Sequence, residues 1–178
     1  MKKILVLFLS IFVISHTYAG NEFPSGNRIP VNGNSFVSFG VGASSWGVPV
    51  YGGMEWMVHN EISVGGQVSF RSQGETIAGS SYQHNAFSAA ARGNYYFNRL
   101  LQLRPPFLVY AGATLGFISV STSAQSSDGV DYDGNRGTGT FFGIQTGGAY
   151  FFNKHWGVNT EIGFGNVIGL KIGAIYLF

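Results

Sequence analysis

The chain has no cysteine, which excludes a disulfide framework, thiol catalysis and a cysteine-ligated zinc site. Charge is scarce as well: Asp, Glu, Lys and Arg make up 10% of 178 residues, where about 25% is usual. Ten basic against eight acidic residues give no cationic surface of the kind nucleic acid requires. Long apolar runs are missing too. The longest mostly apolar stretch past the N-terminus, Phe107–Val120, covers 14 residues and contains Gly112 and Gly116, short of the ~18 needed for a membrane-spanning helix. No helical period is evident after residue 20, so a coiled coil is excluded. Glycine (27 residues) and aromatics (16%) are plentiful instead.

The N-terminus reads separately from the rest. Met1-Lys2-Lys3 is a basic start, Ile4–Ser15 is apolar, and Thr17-Tyr18-Ala19 places small residues where a signal peptidase reads them. Residues 1–19 are therefore expected to be a secretory signal peptide. Residues 20–33 are expected to form a short periplasmic segment, and 34–178 the folded domain. Without Lys2 and Lys3 the remaining charges balance, eight against eight, so net charge says nothing about partners.

The rest of the chain alternates with period two. In Trp156–Phe164, one face carries Trp156, Val158, Thr160, Ile162 and Phe164, and the other Gly157, Asn159, Glu161 and Gly163. Reading on in this way predicts eight strands: Ser35–Ala43, Val48–Val58, Ile62–Arg71, His84–Phe97, Phe107–Val120, Thr138–Phe152, Trp156–Gly165 and Ile168–Phe178. The fifth and sixth alternate least cleanly, and their facing is not readable. Each segment has the nine or more residues of a tilted transmembrane strand, and the number is even.

A soluble barrel also alternates, with its apolar face inside. Three features favour a barrel with its apolar face in lipid. The less apolar face is Gly, Ser, Asn and Gln, material for a narrow lumen rather than a solvated exterior. Aromatics gather at strand ends, predicting an interfacial girdle of Trp56, Tyr95, Tyr96, Phe97, Tyr150, Phe152 and Trp156. The strand charges Glu55, Arg71, Arg92, Glu161 and Lys171 all fall on the polar parity, and a lipid-facing charge costs about 2–4 kcal/mol near the midplane. The expected fold is all-β: an eight-stranded antiparallel transmembrane β-barrel, an up-and-down meander. With the N-terminus periplasmic, the outer side is expected to carry Ser72–Gln83 and Ser121–Gly137 as long loops and Ser44–Gly47 and Asn166-Val167 as tight turns.

The C-terminus, Lys171-Ile172-Gly173-Ala174-Ile175-Tyr176-Leu177-Phe178, fits an outer-membrane assembly signal at Lys171, Gly173, Tyr176 and Phe178. With the signal peptide, the length and the eight strands, residues 34–178 resemble the small OmpA/OmpX-like outer-membrane barrels of Gram-negative bacteria. The resemblance implies a monomer in the outer membrane, in contact with lipid and lipopolysaccharide and inserted by the barrel-assembly machinery. It implies no cofactor. It carries over no function, since such barrels include adhesins, structural proteins, narrow channels and lipid A-modifying enzymes.

Candidate chemistry lies first in the lumen. If the last hairpin turns about Asn166, Glu161 stands opposite Lys171, with Glu55 and Arg92 at neighbouring heights and Gln67, Asn94, Gln145 and Asn159 near the same level. These are expected to form an ionic plug, favoured over a solute gate because eight strands leave almost no bore. His84, with Glu75, Ser80 and Ser81 nearby, is the candidate for an outer-rim catalytic group, but the stretch lacks a His-x-Ser motif and no enzyme activity is expected. Within Asp128–Gly134, Asp131, Asp133 and Gly134 resemble part of a calcium loop without its closing Glu or full ligand spacing, so no metal is expected. The favoured role is structural or surface-interacting through outer loops. The alternatives are a lipid A-modifying enzyme and a narrow porin-like channel.

Overall fold

The computed structural model describes residues 33–44, 47–77, 80–125, 138–165 and 169–178, with side chains left out at 75–77, 80–83 and 122–125. The signal-peptide segment, nearly all of the 20–33 segment, the Asp128–Gly134 stretch and the Asn166-Val167 turn lie outside the described residues.

Eight antiparallel strands follow one another around a closed barrel: β1 (Ser35–Ser44), β2 (Val50–His59), β3 (Ile62–Ile77), β4 (Ser80–Tyr96), β5 (Phe107–Gln125), β6 (Gly139–Phe151), β7 (Trp156–Gly165) and β8 (Gly169–Leu177). β8 returns to β1 through a ladder running from Phe36↔Leu177 to Ser44↔Gly169. Closure leaves no sheet edge at membrane level, which is the condition for a sheet to cross hydrocarbon.

The alternation resolves as apolar-out. On β7, Trp156, Val158, Ile162 and Phe164 are exposed on the outer surface while Gly157, Asn159 and Glu161 are buried inside. The facing of β5 and β6, unreadable in sequence, is also fixed. Leu108, Tyr110 and Ile118 of β5 point inward, as do Gln145, Ala149 and Phe151 of β6, while Leu115, Phe117, Phe142 and Ile144 face out.

Two expectations are corrected. Ser72–Gln83 is not a loop. The β3–β4 ladder continues from Ser72↔Asn85 to Ile77↔Ser80, and β5 runs on beside β4 to Ser81↔Gln125. Above the lipid both faces of a strand meet water, so the sequence loses its apolar alternation there while the hydrogen-bond ladder carries on.

Tyr96 is not in the girdle. It is 3% exposed and points into the lumen, as does its neighbour by pattern, Phe151, at 1%. Runs of three aromatics, Tyr95-Tyr96-Phe97 and Tyr150-Phe151-Phe152, must alternate on a pleated strand, so the middle ring of each enters the barrel. Trp56, Tyr95, Phe152 and Trp156 stand exposed on the outer surface, with Phe97 and Tyr150 half-buried. Tyr95 packs edge-on to Phe97 with ring centroids 5.1 Å apart, and Trp156 packs likewise on Tyr176 at 4.8 Å.

The inward rings join a closed apolar floor at the end of the barrel where β1 begins. Phe36, Met57, Tyr96, Leu108, Tyr110, Ala149, Phe151, Ile175 and Leu177 form one buried cluster. Phe36 stacks on Tyr96 at 6.1 Å, and Tyr96 meets Tyr110 at 5.5 Å. Glycine makes room for these rings. A Cβ on Gly147 would run into the ring and hydroxyl of Tyr110, and one on Gly173 into the hydroxyl of Tyr51 and the Phe39 carbonyl.

Candidate functional site in the lumen

Directly above the floor lies a layer of charged, amide and hydroxyl side chains drawn from seven strands. β7 and β8 pair so that Glu161 stands directly across from Lys171, in a ladder running from Trp156↔Tyr176 to Gly163↔Gly169. Lys171 Nζ donates to Glu161 Oε1 at 2.7 Å and to Gln67 Oε1 at 3.2 Å. The Arg92 guanidinium crosses the lumen from β4 and binds Glu161 Oε2 through one terminal nitrogen. Its other terminal nitrogen donates to Gln67 Oε1 at 2.7 Å. Arg92 Nε lies 3.1 Å from Glu55 Oε1, an ion pair without the alignment of a hydrogen bond.

The amides and hydroxyls complete the layer. Glu55 Oε2 accepts from Ser63 Oγ at 2.5 Å and Asn94 Nδ2 at 2.8 Å. Asn94 Oδ1 accepts from Gln145 Nε2, and Gln145 Oε1 accepts from Thr114 Oγ1, each at 2.9 Å. Tyr110 donates its hydroxyl to Glu161 Oε2 at 3.0 Å, linking floor to charge layer. Tyr51 lies beneath the Lys171 ammonium, 5.6 Å from ring centroid to Nζ. Two carboxylates face two cations here, so the layer is neutral in side-chain charge. That satisfies the requirement for burying ions at all, since an unpaired buried charge is far costlier than a paired one.

Above this layer the lumen changes. Many inward positions become small: Ser69 and Ser88 share a hydrogen bond at 2.7 Å, and Ala90, Gly143, Gly163 and Gly169 line the same space together with Phe141. A cavity of about 70 Å³ remains, bordered from below by Lys171, Glu161 and Gln145 and at the side by Arg71. Arg71 is buried on β3 and donates to Ser44 Oγ at 3.3 Å.

The structure thus gathers Glu55, Arg92, Glu161 and Lys171, and links Gln67, Asn94 and Gln145 to them. Asn159 stands slightly apart, accepting from Tyr51 at 3.4 Å. Tyr51, Ser63, Tyr110 and Thr114 also belong to the network. Inward parity beside a charge was the available signal for Ser63. For Tyr110 and Thr114 it was hidden by the apolar residues on both faces of β5. Of the C-terminal residues, Lys171 is lumenal, Gly173 lies under Tyr51, Tyr176 packs on Trp156 and Phe178 is exposed. His84 is half-buried opposite Gln73, with the side chains of Glu75, Ser80 and Ser81 outside the described residues. Among the described residues no group of His, Asp and Glu has the spacing of a metal site.

A family model for the outer membrane protein beta-barrel domain matches residues 4–174. The chain belongs to that family. Solved structures that superpose on it include small outer-membrane barrels. OprG of Pseudomonas aeruginosa superposes with a TM-score of 0.60 at 10% identity, over 83% of this chain and 97% of that one. Ail of Yersinia pestis, in a phospholipid bilayer nanodisc, gives 0.53 at 15%, over 83% and 100%. The N-terminal barrel of Pseudomonas aeruginosa OprF gives 0.52 at 12%, over 83% and 98%. At these identities the likeness concerns the fold. No curated protein sequence matches the chain significantly.

Proposed function

We propose that this protein is exported by its signal peptide to the outer membrane of a Gram-negative bacterium, inserted there by the barrel-assembly machinery, and acts as a monomer without catalysis. On this reading the barrel is a sealed mount, and the working surface is what rises beyond its outer rim. The observation that carries it is the contrast along the barrel axis. The lower lumen is filled by the apolar floor and the ionic layer, which obstructs a solute path. At the other end β3, β4 and β5 continue past the level where the remaining strands end, with six further β3–β4 pairs after Arg71↔Ala86. Six residues of strand extend about 20 Å, enough to present a ribbon beyond the headgroups and toward lipopolysaccharide or another surface.

Three measurements test this. Gel migration of the outer-membrane fraction shifts on boiling if the barrel is folded there; protein in the soluble periplasm with no shift overturns the location. Single-channel recording in planar bilayers is expected to give negligible conductance, and a steady open level supports the channel instead. Replacing residues 73–84 with a two-residue turn is expected to abolish binding to neighbouring cells while the heat-dependent shift persists. An altered lipid A profile that depends on the protein argues for the enzyme.

A further inference from the structure

At the opposite rim, three turns join the strands. Two are short and polar: His59-Asn60-Glu61 and Asn153-Lys154-His155. The third, between β4 and β5, is Asn98-Arg99-Leu100-Leu101-Gln102-Leu103-Arg104-Pro105-Pro106. It differs in length and in chemistry. Leu100 is 71% exposed, Leu101 55% and Leu103 36%, three leucines within four residues that all present surface to the outside. Arg99 and Arg104 flank them, both exposed.

This turn is built rather than loose. Leu101 N donates to Phe97 O at 2.8 Å and Leu103 N to Asn98 O at 2.8 Å, closing a helical turn. Gln102 takes the left-handed conformation, with φ of 52°. Asn98, 6% exposed, clamps the base: its Nδ2 donates to Phe107 O at 2.6 Å and its Oδ1 accepts from Val109 N at 3.0 Å. Arg99 leans 3.7 Å from Glu61 Oε1, whose other oxygen accepts from the Tyr95 hydroxyl at 2.9 Å. A fold that fixes a turn this firmly while leaving its leucines exposed holds them for something outside the barrel.

The turn follows directly on the exposed Tyr95 and the adjoining Phe97, so it continues the belt at which the barrel meets lipid. One helical turn is about 5.4 Å, and each headgroup zone is about 5–7 Å deep. Among the described residues of this rim the side-chain charges are Arg99, Arg104, Lys154 and Glu61, a cationic excess. Leucines for the acyl boundary and arginines for phosphate are the composition of an interfacial anchor.

We propose that the β4–β5 turn is a lipid-binding site that inserts Leu100, Leu101 and Leu103 into the adjacent leaflet, with Arg99 and Arg104 taking the phosphates of anionic phospholipid. With the strand ends of β1 and β8 on the periplasmic side, that leaflet is the inner, phospholipid one. The site would fix the depth and tilt of the barrel from below.

The absence of cysteine makes the test clean. Leu100→Cys, labelled with an environment-sensitive fluorophore, is folded into phosphatidylcholine–phosphatidylglycerol vesicles with bromine carried on one lipid or the other, and folding is checked by the heat-dependent gel shift. The expected result is weak quenching by aqueous iodide, and quenching by brominated phosphatidylglycerol roughly five-fold stronger than by brominated phosphatidylcholine. Adding Arg99→Gln and Arg104→Gln is expected to bring that ratio close to one. Equal quenching by both lipids with the arginines present overturns anionic recognition. Strong iodide quenching places the turn in water, and shielding from iodide and lipid alike places it against its own barrel or a second copy; either overturns the site. Leu103→Cys repeats the measurement if the first variant does not fold.

Discussion

The two halves of the lumen are built on different principles. Below, apolar rings and a seven-strand ionic network fill the space, with glycines such as Gly147 and Gly173 admitting tyrosines that a methyl group would block. Above, serine, alanine and glycine leave a cavity of about 70 Å³. Both halves mix polar and apolar side chains, and both face the barrel axis. What separates them is side-chain volume. A filled, cross-linked half resists register slip, because moving Lys171 or Glu161 by one residue would place it in lipid. An underfilled half tolerates change.

That contrast can be broken first at Glu161. Glu161→Gln leaves Arg92 and Lys171 facing each other without their shared carboxylate, and is expected to cost about 3–5 kcal/mol, read as a lower urea midpoint in vesicle-folded protein. Phe151→Ala, at a side chain 1% exposed, removes a floor ring and is expected to cost about 3–4 kcal/mol by the same measurement. Gly147→Ala tests crowding rather than cavities. Its methyl must displace both the Tyr110 ring and the Thr160 carbonyl, costing about 1–3 kcal/mol and loosening the Tyr110–Glu161 hydrogen bond. The smallest effect belongs to the upper half. Ser88→Ala loses the hydrogen bond with Ser69 beside a space able to hold water, and is expected to cost about 1 kcal/mol or less. An upper-lumen variant as damaging as Glu161→Gln would abolish the distinction between the halves.

Much of this arrangement was legible one strand at a time. On β7 and β8 the alternation is clean, so the parity of Glu161 and Lys171 followed, and with a turn at Asn166 so did their pairing. Reading failed where one pattern served two environments. Tyr95-Tyr96-Phe97 looks like a girdle at the level of composition, yet the pleat sends its middle ring into the floor. On β5, Leu108 and Tyr110 are as apolar as the residues facing lipid, because the floor they join is apolar, and alternation disappears. Beyond Arg71 the reverse holds: Ser72, Gln73 and Gly74 read as loop because no lipid asks for an apolar face, while the ladder to β4 persists.

The sequence by itself determined the class of fold, the number of strands and the side to which each charge turns, since hydrocarbon penalises a charge severely enough to write itself into every second residue. Which inward residues meet across the barrel was decided by the tertiary structure alone. Arg92 reaches Glu55, Gln67 and Glu161 from three other strands, and those distances depend on closure and stagger, which bring together residues far apart in the chain. The same holds for the leucine-bearing turn below. Its composition was always visible, but only a clamped backbone at the lipid rim makes three leucines a surface.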